Sequence, residues 1–170
     1  MNKNNAPGGR PMFQTRSIAI GGLVAAVYVV VTLIFAALGL SSNIIQIRLS
    51  EALCIMPCFC PAAVPGLFVG CLISNLIAGA GIFDIVFGSL ATLVGAIGTY
   101  LLRKNRWLAP VPPVIVNGLV IPAVLIYGYG INMCYFLAAF YIFIGEFISC
   151  YILGEILYSV LKRNTAIFHF

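Results

Sequence analysis

From Ile18 to Leu40 the chain runs 23 residues without a charged side chain. An α-helix needs about 20 predominantly apolar residues to cross the roughly 30 Å hydrocarbon core of a bilayer. A stretch of this length selects a membrane span over the buried helix of a soluble core. A cleaved leader is the rival reading, but its apolar region would be shorter and would not be followed by further spans. Composition carries the same message along the whole chain. Of 170 residues, 62% are apolar and 8% charged, with a mean hydropathy of +1.12. A soluble domain carries about a quarter charged residues, so much of this surface must face lipid. The length suits a single domain.

Positive charge gives the expected topology. Lys3, Arg10 and Arg16 precede the first span, Arg103, Lys104 and Arg106 form a second cluster, and Lys162 and Arg163 a third. Lys and Arg concentrate in cytoplasmic loops, which puts all three clusters inside. Crossings between clusters are then even in number, four before Arg103 and two after it. The expectation is an all-α membrane protein with six transmembrane helices, at about 18–40, 50–60, 62–79, 82–102, 113–130 and 134–161, and both termini cytoplasmic. Trp107, Tyr100 and Tyr158 fall at the inner interface of this scheme, and Tyr127, Tyr129 and Tyr135 at the outer one, as an aromatic belt would. Residues 1–15, Gly/Pro-rich and polar, read as a disordered cytoplasmic N-terminus, leaving 16–170 as the transmembrane domain.

The second span is too short to cross as a straight helix and leads into Pro57, Pro61 and Pro65. Each proline lacks an amide donor, so one helix cannot hold all three in its interior. Non-helical backbone at membrane depth is tolerated where protein buries it or water lines it. Residues 41–66 are therefore expected to be broken or re-entrant beside a cavity. Pro61 suits the start of the third helix and Pro112 and Pro113 that of the fifth, while Pro122 should kink the fifth.

Polar residues inside spans carry the functional information, because charge at that depth is expensive. All four acidic residues, Glu51, Asp84, Glu146 and Glu155, lie within or at the ends of expected spans. Arg48, Glu51 and Asp84 fall near the outer face; Asn75 lies in the outer half of its span, and Asn117 and Glu146 lie deeper. A pocket open to the outside and lined by carboxylates and amides suits a small, donor-rich solute of nucleobase type. Structural roles compete for the same residues. Arg48 and Glu51 can pair at a helix start capped by Ser50, Asp84 can cap the fourth helix, Glu155 can reach the inner interface, and Asn75 and Asn117 can pin helices together.

Six cysteines show no CxxC, and the one histidine, His169, stands beside the C-terminus. Buried thiols behave as small hydrophobes, so no metal site is expected. GxSxG, HExxH and a Gly-rich loop ending in Lys-Ser/Thr are absent. No enzyme activity, cofactor or nucleic-acid partner is expected, and uphill transport would need an ion gradient or an ATP-hydrolysing partner. Gly22 and Ala26 form a small-xxx-small pair with Gly21 and Ala25 beside it, a pattern that lets a second helix approach closely. That helix can belong to a partner or to the chain's own bundle.

Longer motifs are distinctive. Ile45-Gln46-Ile47-Arg48-Leu49-Ser50-Glu51-Ala52-Leu53, Pro61 to Cys71, Asp84 to Leu93, Leu108 to Asn117 and Gly145-Glu146 strongly resemble the QueT family. These are the membrane-embedded substrate-binding subunits (S components) of energy-coupling factor (ECF) transporters, assigned to queuosine precursors. The resemblance runs from about Arg16 to Lys162. It implies a six-helix S-component fold in the bacterial plasma membrane and a 7-deazaguanine-type substrate bound near the outer face. It also implies a transmembrane coupling protein with two ATPase subunits as partners, met through the small residues of the first helix. Arg48, Ser50, Glu51 and the Gly145–Glu146 pair are then the implied carriers of substrate contacts, with Asn75 and Asn117 beside them. A different vitamin or nucleobase-like solute, and a solitary ion-coupled carrier, are the alternatives.

Overall fold

A computed structural model of the chain describes residues 11–38 and 48–163, with side chains from residue 15. Among the described residues six helical segments follow one another: α1 (Pro11–Ala37), a 3-10 helix (Leu49–Cys58), α2 (Ala63–Ile77), α3 (Asp84–Leu101), α4 (Val111–Gly128) and α5 (Tyr135–Arg163). Each lies on one of the six expected spans. Four of them, α1, α3, α4 and α5, are long and apolar enough to cross a membrane. The 3-10 helix and α2 are apolar but shorter, with 10 and 15 residues. At about 2.0 and 1.5 Å of rise per residue, each extends roughly 20 Å, short of a hydrocarbon core of about 30 Å. Among the described residues the first helix runs from Pro11, ahead of the expected start of the first span at 18. Residues 1–10 and 39–47, with Ile45–Ile47 of the first motif, lie outside the described residues.

The proline series acts as expected in one place and differently in another. Pro57 lies inside the 3-10 helix. Pro61 does not open α2; it occupies the turn before it, where its carbonyl accepts from Val64 N, and the helix begins at Ala63. Pro65 falls in the first turn of α2, whose amides have no intrahelical acceptor to lose. Pro112 and Pro113 open α4 as expected, and Pro122 sits two residues ahead of a π-helical turn at Val124–Gly128. Further π-helical stretches lie near the start of α3 at Asp84–Gly88 and interrupt α5 at Phe147–Leu153.

The 3-10 helix is the centre of the packing. It touches α1, α2, α3 and α5, and Cys54 and Met56 join Val24, Tyr28, Leu67 and Cys71 in the core. Ten residues is long for a 3-10 helix, whose hydrogen bonds are poorer than those of an α-helix. Burial on four sides holds it. The closest helix pair is α1 with α2: a Cβ added at Gly66 would stand 2.5 Å from Gly21 O, and one at Gly70 would stand 3.0 Å from Ala25 O. Gly21 and Ala25 thus serve the chain's own bundle. Gly22 and Ala26, one position on, are exposed, and nothing lies within 4 Å of a Cβ at Gly22. Exposed Leu23, Val27, Val30 and Ile34 share α1 with them.

At the Arg103–Arg106 end, the loop between α3 and α4 is tied to α5. Arg106 Nε pairs with Glu155, Arg106 Nη2 donates to Ser159 Oγ at 3.0 Å, and the guanidinium lies 4.9 Å from the Tyr158 ring centre. Tyr151 Oη donates to Trp107 O at 2.6 Å. Glu155 therefore has a named partner in the loop.

Candidate functional site

Near the other end of the bundle a cavity of about 170 Å³ opens between α1, the 3-10 helix, α2, α3 and α4, lined among others by Thr32, Arg48, Ser50, Asn75, Asp84 and Ile121. At about 30 Å³ of liquid volume per water, it has room for a small solute. Its polar wall is built by local rules. Helix α2 ends in a Schellman motif: Gly79 takes a left-handed φ of +68° and Ala80 N donates to Asn75 O at 2.9 Å, a geometry that favours glycine at this position. The helix stops one turn beyond Asn75, whose side chain then joins three elements. Asn75 Oδ1 accepts from Arg48 Nη2 at 3.1 Å, and Asn75 Nδ2 donates to Asp84 O at 3.2 Å.

Two sequence expectations are corrected here. Arg48 does not bond Glu51; the guanidinium goes to Asn75, and Ser50 makes no cap because Arg48 itself occupies the N-cap position of the 3-10 helix. Asp84 is not a cap either. It begins a π-helical turn, no side-chain cap bond is made there, and its Oδ2 accepts from Tyr129 Oη at 2.8 Å. Tyr129 lies just beyond α4 and packs so closely over Gly81 that a Cβ there would overlap its ring. Burial and the bond to Asp84 raise the Tyr129 phenol above its ordinary 10.0.

Behind the cavity lies a second, closed tier. Glu51 is fully buried; its Oε1 accepts from Tyr28 Oη at 2.6 Å and its Oε2 from Cys54 Sγ at 2.9 Å. Glu146 is 3% exposed, and Cys150 Sγ contacts its Oε2 at 3.5 Å. One ligand atom each from Glu51, Glu146 and Cys150 lie within 4.8 Å of one another. Arg48 is near enough to act electrostatically on both carboxylates, while its hydrogen bond goes to Asn75. Asn117 is 1% exposed, and its amide side chain reaches the Glu146 carboxylate in a long contact.

The six residues singled out from the sequence therefore divide into two groups. Arg48, Ser50 and Asn75 line the cavity, and Glu51, Asn117 and Glu146 form the closed tier next to it. Hydropathy gave no means of finding Thr32 and Tyr28, which sit among apolar neighbours of α1. Cys54 and Cys150, read as packing, also approach the carboxylates. Spacing along the chain could not reveal the Glu51–Glu146–Cys150 grouping, because the fold joins residues nearly a hundred positions apart.

The family model for the QueT transporter matches residues 18–163. The chain belongs to the QueT transporter family. It is a multi-pass membrane transporter. A search of curated proteins found no match, and a search of solved structures found none.

Proposed function

We propose that this QueT transporter is the membrane-embedded S component of an ECF-type importer, with the six-helix S-component fold and both termini cytoplasmic. It binds a queuosine precursor of 7-deazaguanine type from the outside and relies on a separate coupling protein and two ATPase subunits for transport. One observation carries the substrate class: two buried carboxylates, Glu51 and Glu146, stand together behind a cavity whose one arginine, Arg48, is bonded to an amide. Like charges held this close at low dielectric are stabilised by a donor-rich or cationic ligand. A 7-deazaguanine offers an N–H and an exocyclic amine on one edge, which a carboxylate accepts together, and an amine on the 7-substituent suits the second carboxylate. The exposed Gly22–Ala26 face of α1 supports contact with the coupling protein, since it is free of the chain's own helices.

Equilibrium binding of 7-deazaguanine to the purified protein in detergent tests the reading. Glu51→Gln and Glu146→Gln should each weaken binding by about 10- to 100-fold, the scale of a lost hydrogen bond to a charged group. Asp84→Asn should weaken it far less. Unchanged affinity in both Glu variants would remove these residues from the site.

A solitary ion-coupled carrier is the second reading, favoured by the Glu51–Glu146–Cys150 grouping, whose ligand atoms are close enough to hold a cation. Uptake that persists in cells stripped of the coupling ATPases would select it.

A further inference from the structure

Two turns at the cavity end of the bundle interlock. One covers 78–83 between α2 and α3, the other 129–134 between α4 and α5. Each holds a left-handed glycine, Gly79 at φ +68° and Gly130 at φ +65°. Tyr129 lies over Gly81, and Phe83 lies over Gly128, where a Cβ would stand 3.1 Å from its ring. Each ring thus fills the volume that a side chain on the opposite segment would need. The two rings meet edge to face with centres 6.1 Å apart, and Tyr129 Oη donates to Asp84 Oδ2 at 2.8 Å. Both helices are π-helical at this point, over Asp84–Gly88 and Val124–Gly128, a form frequent at functional sites. The first turn is also a wall of the cavity, which Ala78, Ala80 and Asp84 line. Asp84 is fixed from two sides, its carbonyl accepting from Asn75 and its carboxylate from Tyr129. Phe83 is 41% and Tyr129 42% exposed. Opening the contact therefore costs one hydrogen bond and one ring pair rather than a core, as local opening requires.

We propose that the reciprocal seating of Tyr129 on Gly81 and Phe83 on Gly128 is a clasp that controls entry to the cavity. Its release frees the 78–84 wall, with Gly79 and Gly81 absorbing the change in backbone angle as hinge positions do, and admits a solute to Ser50 and Arg48. Tyr129 stands behind that wall, so it acts on access and not as a contact of the solute. Release and closure act alike on the free and the occupied cavity. The clasp therefore sets the rates of exchange and leaves affinity unchanged. Its place in transport rests on the function proposed above.

Thiol reactivity in the purified full chain in detergent tests the clasp without a substrate. Ser50 lines the cavity and is 2% exposed. In Ser50→Cys, modification of the introduced thiol by methyl methanethiosulfonate, read by peptide mass spectrometry, reports opening. Adding Gly81→Ala, whose methyl would overlap the Tyr129 ring, should speed modification at least about 10-fold, the scale of a lost hydrogen bond and ring pair together. Adding Tyr129→Phe, which removes one hydrogen bond at an exposed site, should speed it about 2- to 3-fold. Cys54, buried on the same 3-10 helix behind the cavity, is the internal reference and should react no faster. Unchanged reactivity at position 50 in both variants would overturn the clasp. An equal rise at Cys54 would overturn it too, because the bundle as a whole would then have loosened. If thermal unfolding shows that Gly81→Ala does not fold, the Tyr129→Phe comparison carries the test. An excess of 7-deazaguanine should slow modification at position 50; no slowing beside a working clasp would overturn the substrate reading alone.

Discussion

The two ends of the bundle use the same residue types to opposite effect. At one end Arg106 meets Glu155 directly, adds Ser159 and lies over Tyr158. At the other, Arg48 bonds Asn75, and the buried carboxylates Glu51 and Glu146 have no basic side chain at bonding distance among the described residues. The first arrangement is complete in itself. The second leaves buried carboxyl groups without a basic partner, in a setting where unpaired polar groups are expensive. Pairing within the chain and availability to a ligand are alternatives, and this fold separates them along its length.

That contrast can be broken from the cavity side first. Asn75→Leu frees Arg48 and removes a link to the Asp84 carbonyl. It should lower affinity for 7-deazaguanine by about 10-fold or more, the scale of a bond to a charged group, as measured by equilibrium binding. At the opposite end Glu155→Gln should leave that affinity within about 2-fold. Its pair is partly exposed, so thermal unfolding should report a loss of about 1 kcal/mol or less. A large loss of binding in Glu155→Gln would mean that the two ends are not independent. The smallest effect is expected at Tyr129. Its phenol titrates above 10.0, so its donor bond to Asp84 is present throughout neutral pH and is lost only as pH rises through that raised value. Affinity should therefore not change between about pH 6 and 9 on account of Tyr129, and Tyr129→Phe should cost a few tenths of a kcal/mol in unfolding measurements.

Much of the architecture was legible because lipid imposes simple rules. Apolar run length located the helices, and the shortness of the segment after Arg48 marked one of the two that are too short to cross alone; α2, expected over 62–79, is the other. The 3-10 winding of the segment after Arg48 was not legible, since burial on four sides leaves apolar residues nearly all round it and no single face to mark its period. The burial of Asn117 and Glu146 could be read from their apolar flanks, whereas Glu51, expected near the outer face beside Arg48, lies in the closed tier with them. The partners could not be read: Arg48 had a carboxylate three positions away in sequence, yet an amide on α2 holds it. Asp84 followed a glycine-rich turn in the manner of a cap, and only the fold brings Tyr129 across to it. Small-residue spacing on α1 showed that some helix could approach; which of the two adjacent stripes it used depended on the position of Gly66.

The 3-10 helix also has a length, and that length is unusual currency in a membrane protein. Its first turn carries Ser50 at the cavity, and just past its last residue Phe59 rests on Tyr158, ring centres 4.9 Å apart, where Arg106 also lies. It is a rigid ruler laid between the two ends. Rewinding its 10 residues into an α-helix would shorten it by about 5 Å, since rise falls from roughly 2.0 to 1.5 Å per residue. The rise of this segment therefore contributes to the distance between the cavity wall at Ser50 and the Phe59–Tyr158 contact at the arginine-paired end.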